Sequence, residues 1–201
     1  MRDGGEASDD DLMRRSAAGD RDAFAGVYRR HHAVVFRFAR LMTGSSEAAE
    51  DVVQEVFLAL MRGASRYDPA RSTLTTYLYG SARNHIRRRL LRDRLFVSLE
   101  EKGPDLCGAQ SDGTTADELS RQRDLRGLRR SILTLPPKYR EVIVLCDLQD
   151  VSYADAAAAL ACAVGTVRSR LHRARQLLTE KMQRSRACAQ APAQPAVRCE
   201  V

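Results

Sequence analysis

Tryptophan is absent from the 201-residue chain, and aromatic residues make up only 5% of it. Lysine is scarce: of 33 basic residues only Lys102, Lys138 and Lys181 are lysines. This bias toward arginine is compositional, and no mechanism follows from it. No run of about 18 apolar residues occurs, so no segment is expected to insert in a membrane. The opening MRDGGEASDDDLMRRSAAGD is acidic and has no apolar core. It therefore does not read as a secretory signal, and a cytoplasmic location is expected. The five cysteines (Cys107, Cys146, Cys162, Cys188, Cys199) are scattered and odd in number. They read as cytosolic thiols rather than a disulfide framework, with Cys188 and Cys199 in the tail as incidental thiols. No glycine loop for phosphate, no paired Cys or His at metal-ligand spacing and no nucleophile motif is present. The expectation is a protein that is not an enzyme and needs no metal or cofactor.

What remains is a basic, globular chain. Apolar residues are 44% and charged residues 29%, an ordinary balance for one or two small folded domains. The net charge of +7 is unevenly placed. Residues 20–95 carry 14 basic and 8 acidic side chains, and residues 125–201 carry 13 and 6. Between them, residues 96–124 carry 3 basic and 7 acidic side chains, with much Gly, Ser, Thr and Asp. This middle stretch reads as a flexible acidic linker. The plan is therefore all-α. An N-terminal tail (1–19) precedes a first helical domain (20–95). The linker (96–124), a second helical domain (125–184) and a disordered Ala/Pro/Gln-rich tail (185–201) follow.

In the first domain, Phe24, Val27, Tyr28, His31, Val34, Val35, Phe38 and Leu41 recur at helical spacing. Gly44-Ser45-Ser46 breaks the pattern, and Ser46 can cap a second helix over roughly 46–62. One side of that helix is Val52, Val53, Val56, Phe57 and Leu60; the other gathers Asp51, Gln54, Glu55 and Leu58. The polar side either faces water or docks on a partner. After the Asp68-Pro69 turn, Ser72 or Thr73 can cap a third helix. It mixes Tyr77 and Tyr79 with Arg83, Arg87, Arg88, Arg89, Arg92 and Arg94. Rings beside guanidinium groups suit an unpaired nucleic-acid strand, by stacking and phosphate contact. A solvated basic helix end fits equally well.

The second domain reads as a helix-turn-helix. Leu125, Leu128, Ile132 and Leu135 form one stripe, and Pro136-Pro137 stops that helix and starts the next. Ser152 to Asp155 resembles a capping box before a short Ala-rich helix ending near Leu160. After a turn, Gly165-Thr166 leads into VRSRLHRARQLLTEKM. There Val167, Leu171, Ala174, Leu178 and Met182 share one stripe. Arg168, Ser169, His172, Arg173 and Gln176 point away from it, with Arg170 and Arg175 on the flanks. A short helix, a tight turn and a basic second helix fit a reader of the DNA major groove.

The strings SSEAAEDVVQEVFLAL, YDPARSTLTTYLYGSARNHIRRRL, LPPKYREVIVLCDLQDVSYADAAAAL and VGTVRSRLHRAR, in this order, resemble a bacterial sigma factor of the extracytoplasmic-function group, sigma-70 family. The resemblance spans residues 20–95 and 125–182. It implies a noncatalytic subunit that binds core RNA polymerase, on its β′ clamp and β flap, and directs promoter-specific initiation. It implies that Asp51, Gln54, Glu55 and Leu58 dock on the β′ clamp. Tyr67, Arg71 and Ser72 match a loop that captures a flipped base of the −10 element. Arg83 and Asn84, with Arg87 and Arg88 behind them, match the point of strand opening. Thr166, Arg168, Ser169, His172, Arg173, Arg175 and Gln176 match the helix that enters the −35 major groove. The linker matches a segment threading the polymerase channels, and an anti-sigma factor is implied as a further partner.

The chain departs from the family pattern at four places. Tyr77 stands where Trp is usual, Arg88 near a common Asp, Ala161 for the turn Gly and Ala163 for a Pro. An alanine in a left-handed turn costs about 1 kcal/mol. A stand-alone helix-turn-helix repressor would account for residues 125–186, but not for the DVVQEVFL face or the first basic block.

Overall fold

The computed structural model describes residues 7–64, 67–96 and 116–190. Among these residues all regular structure is helical, in eight helices and without a strand. No described helix is long and apolar enough to cross a membrane.

The first helix, α1 (Asp9–Ala17), lies in the stretch expected to be an N-terminal tail, and this corrects that reading. The Ser8 hydroxyl accepts from the Asp11 N–H at 3.2 Å, and three Asp occupy the first turn, where the helix dipole favours them. Leu12 and Met13 are buried. Two apolar residues make too short a stripe to register as periodicity against so many charges.

Helix α2 (Arg21–Thr43) is capped by Asp20 and ends at Gly44, whose φ of +81° favours glycine. Its buried line is Val27, His31, Val35, Phe38 and Met42. Phe38 is fully buried, which removes a whole ring from water and stabilises the fold by about 1.5–3 kcal/mol. Helix α3 (Ser46–Arg62) buries the Val/Phe/Leu side as expected. Its cap is Ser45 rather than Ser46, accepting from the Ala48 N–H at 3.2 Å. Helix α4 (Leu74–Phe96) uses Thr73, whose hydroxyl accepts from the Thr76 N–H at 3.2 Å.

Helix α5 (Ala116–Leu133) begins inside the acidic stretch, so the stretch expected as linker is helical from Ala116. Residues 97–115, where the flexible link was expected, lie outside the described residues. Helix α6 (Pro137–Leu148) carries proline at its first position, where a missing N–H costs nothing. Helix α7 (Tyr153–Ala159) has the expected cap: the Ser152 hydroxyl accepts from the Asp155 N–H at 3.0 Å. The turn after it places Ala161 at φ +49°, so the left-handed conformation is kept despite its cost for alanine and the turn does not change shape to avoid it. Helix α8 (Val164–Gln190) starts before Gly165-Thr166 and runs past residue 184 into the expected tail. Cys107, Cys199 and the side chain of Cys188 are outside the described residues.

Helices α1–α4 form one domain and α5–α8 the other, and a continuous apolar cluster joins them. Among the described residues, four polar contacts cross the boundary. Arg140 of α6 donates to the Met42 carbonyl at 2.6 Å, and to the Leu135 carbonyl at 3.1 Å and the Leu133 carbonyl within its own domain. The Tyr79 hydroxyl meets Gln149 at 3.3 Å, and the Thr76 hydroxyl donates to Asp155 at 3.1 Å. The Arg83 Nε lies 3.0 Å from a Glu141 carboxylate oxygen.

Candidate polymerase and nucleic-acid interfaces

The polar side of α3 is open. Asp51, Gln54 and Glu55 are exposed and Leu58 is half-buried, directly opposite the buried Val52, Val53, Val56 and Phe57. Asp51 accepts from Arg89 of α4 at 2.6 Å. A groove of about 690 Å³ runs between α2 and α3, with Tyr28, His32 and Phe57 facing Gln54, Leu58 and Met61. Tyr28 stacks on His32 at 5.2 Å and meets Phe57 edge-on at 4.8 Å. Tyr28 and Met61 are exposed large side chains beside the polar residues. Tyr28, in the expected core stripe of α2, thus faces solvent instead, and Met61, with no expected role, lies beside it. An α2 stripe wider than one face was the available signal.

A second groove, on the other flank of Asp51, brings Glu55 together with His85, Arg88, Arg89 and Arg92. Burial pushes the His85 imidazole below its ordinary value, and Glu55 opposes the shift.

The residues expected at the −10 element divide into presented and covered. Arg71, Asn84, Arg87 and Arg88 are exposed, and Ser72 is half-exposed. Tyr67 is only 9% exposed, so its ring is not offered to a base. Its hydroxyl lies 3.1 Å from the Asp10 carboxylate and 3.3 Å from the Ser72 carbonyl. Burial, followed by Asp10, pushes the phenol up to about 12, so it stays a donor. The Arg83 side chain is 12% exposed and pairs with Glu141, itself 5% exposed. The pair is close by distance, but no N–H of Arg83 Nε is aligned for a hydrogen bond. The expected exposed role of Arg83 is therefore unavailable while the domains are packed together.

Gly80 lies where the two domains meet: a Cβ there would touch the Ala159 carbonyl oxygen at 3.4 Å, at the close limit of ordinary van der Waals contact. Around it, a cavity of about 560 Å³ is walled by Ser72, Tyr77, Arg83 and Asn84 of the first domain and by Ala158 and Ala161 of the second.

The outer face of α8 is solvent-exposed at Arg168, Ser169, His172, Arg173 and Gln176, while Val167, Leu171 and Ala174 are buried. Thr166 is half-buried. The polar side chains are linked: Arg173 donates to Gln176 at 3.2 Å, and Gln176 meets His172 at 3.0 Å. Arg175 donates to both oxygens of Asp147 on α6, at 2.9 and 2.6 Å, which holds its guanidinium strongly charged. It braces α8 against α6 in addition to lying beside the exposed polar row. No cluster of candidate metal ligands occurs among the described residues.

Comparison with known proteins agrees with this layout. Residues 27–95 match the family model for sigma-70 region 2, and residues 125–178 match that for sigma-70, region 4. The chain is 36% identical over 177 residues to the ECF RNA polymerase sigma factor SigM of Mycobacterium tuberculosis, covering 86% of this chain and 84% of that one. It is 29% identical over 171 residues to SigW of Bacillus subtilis, covering 82% and 91%. Among solved structures, CnrH in complex with the cytosolic domain of CnrY is similar at a TM-score of 0.62 with 25% identity, covering 90% of this chain and 97% of that one. RpoE of Bartonella quintana, in complex with the anti-sigma factor NepR, is similar at a TM-score of 0.61 with 26% identity, covering 80% and 96%. Two matched regions in the right order, on two helical domains that present an open polar α3 face and an exposed basic α8, place this chain among the extracytoplasmic-function sigma factors of the sigma-70 family, promoter-specific factors of transcription initiation.

Proposed function

We propose that the α3 face carries this chain onto core RNA polymerase and that α8 and the α4 region then read the two promoter elements. Asp51, Gln54, Glu55 and Leu58 dock on the β′ clamp, and the second domain reaches the β flap. Arg168, Ser169, His172 and Arg173 enter the −35 major groove with Thr166, Arg175 and Gln176 around them. Arg71, Ser72, Asn84, Arg87 and Arg88, joined by Arg83 once it is released, hold the unpaired −10 strand. The protein performs no chemistry of its own and acts in the cytoplasm.

The observation that carries this reading is the α8 face: a row of exposed base-reading side chains backed by a buried Val/Leu/Ala stripe. Side chains of this kind recognise base edges through bidentate and single hydrogen bonds. The covered Arg83 supports a two-state cycle. With the domains packed Arg83 alone of the strand-opening set is covered, while Asn84, Arg87 and Arg88 stay exposed, and the DNA-engaged form has the domains apart. Two similar sigma structures hold partners, CnrY and the anti-sigma factor NepR, and an anti-sigma partner for this chain is part of the proposal.

The test is transcription in vitro from a promoter fragment with core polymerase, with and without this protein. Initiation that depends on both components supports the assignment. Tight, sequence-specific duplex binding by the free protein, with no effect on core polymerase, would support a repressor instead.

A further inference from the structure

Helix α1 reaches two different parts of the first domain with neighbouring carboxylates. Asp9 accepts from Arg30 at 2.5 Å and from His31 at 2.9 Å, both on α2. The bonds from Arg30 and His31 outweigh burial and hold the Asp9 carboxyl below its ordinary range. Asp10, one position on, turns toward the loop before α4 and takes the Tyr67 hydroxyl at 3.1 Å. The same hydroxyl lies 3.3 Å from the Ser72 carbonyl at the far end of that loop.

Between these anchors the loop is a tight turn. The Ala70 N–H donates to the Asp68 carboxylate at 3.0 Å and the Arg71 N–H to the Asp68 carbonyl at 3.1 Å. The Tyr67 ring is held edge-on against Tyr77 at 5.7 Å. The hydroxyl thus closes the loop across its base, while Asp68, Pro69, Ala70 and Arg71 stand exposed at its tip. A buried phenol placed between a carboxylate and a carbonyl is a poor stacking surface and a good latch.

We propose that α1 is a positioning element for −10 recognition: Asp10, acting through the Tyr67 hydroxyl, sets the shape of loop 67–72 that receives the unpaired strand. The inference rests on the assignment of that loop to the strand made above. Tyr67 and Asp10 touch no DNA in this scheme; they hold Arg71 and Ser72 in register. Recognition depends on such register, because a displaced donor loses its base without losing the phosphates.

The experiment uses full-length protein in holoenzyme and a pool of premelted templates randomised over the −10 non-template strand. Bound templates are sequenced, and core capture and −35 preference are measured in parallel. Tyr67→Phe keeps the ring and removes the latch; Asp10→Ala removes its partner. Each is expected to lower the ratio of preferred to disfavoured −10 sequences by about 2- to 10-fold, the fold-change of one net hydrogen bond, with core capture and −35 preference unchanged. Asp10→Asn keeps a carbonyl acceptor and is expected to retain the wild-type ratio, which a general charge effect would not allow. Unchanged −10 ratios in Tyr67→Phe and Asp10→Ala, alongside a flattened ratio in Arg71→Ala at the loop tip, overturn the positioning role alone. If Arg71→Ala also leaves the ratio unchanged, the loop does not receive the strand and both readings fall.

Discussion

Arg89 of α4 donates to the Asp51 carboxylate of α3 at 2.6 Å, tying the proposed polymerase-docking face to the basic helix proposed for strand opening. Both partners are partly exposed, so the pair contributes at most about 1 kcal/mol to folding. Its weight is positional, since it aims a carboxylate along the docking face.

Replacing Asp51, Gln54 and Glu55 together by Ala should leave the fold intact, because exposed substitutions each cost within about 0.5 kcal/mol. Capture of core polymerase should fall, by about 2–5 kcal/mol if a charged partner on the polymerase is stranded. A pull-down with core polymerase checks this, with circular dichroism as the folding control. A folded triple variant that captures core at full strength would remove the docking assignment.

Arg173→Ala should weaken −35 recognition. Arg173 is exposed on α8 and is oriented by Gln176, which His172 holds in turn. A lost base-edge contact costs about 1–3 kcal/mol, whereas a lost phosphate contact weakens all sequences alike. The two are separated by transcription from promoters with matched and scrambled −35 elements. Equal output from wild type and variant on both templates would refute the placement of α8 in the groove.

Glu141→Gln should shift the free protein toward separated domains. It leaves the buried Arg83 cation without its counter-charge, a defect of about 3–5 kcal/mol that separation relieves by returning Arg83 to water. The expected readings are a larger hydrodynamic radius and tighter binding of a single-stranded −10 oligonucleotide than wild type. A compact variant with wild-type binding would show that this pair does not govern the masking of Arg83.

Ala161→Gly should stabilise the second domain by about 1 kcal/mol. Ala161 sits at φ +49°, where its Cβ is strained and glycine is not. The side chain is exposed, so no packing is lost in exchange. A thermal melt measures the gain, and a lowered midpoint would contradict the strain argument.

Helices with a full apolar stripe were legible in the sequence. The α3 residues Val52, Val53, Val56, Phe57 and Leu60 are buried as their spacing requires, and so are Val167, Leu171 and Ala174 on α8. Local signals were equally readable: the Ser152 cap and Pro137 at the start of α6 both depend on near neighbours. Helix α1 was not legible, because its cap and acidic first turn precede only two buried residues. Leu125 shows the converse: it continues the α5 stripe in sequence yet is 52% exposed, at the rim of a groove with Phe36, Arg37 and Leu148. The contacts between domains were illegible for a different reason. Thr76 and Asp155, or Arg83 and Glu141, are brought together from distant parts of the chain, and no periodicity encodes which polar residue meets which. Hence the sequence marks Tyr67 and Arg83 as candidate DNA contacts, while their burial comes only from the fold.

Arg140 carries a consequence of its own. Its guanidinium gathers the Met42 carbonyl from the last turn of α2 and the Leu133 and Leu135 carbonyls from the end of α5. Those are the negative poles of two helices from opposite domains, which would repel if brought together bare. One planar cation lets them share a neighbourhood, and a lysine ammonium could not span the same three oxygens. Pulling the domains apart takes this cation from the α2 pole and leaves it Arg40 of its own last turn, which donates to the Gly44 carbonyl. The packed form is therefore held at this point by a cation that belongs to one domain and bridges to the other.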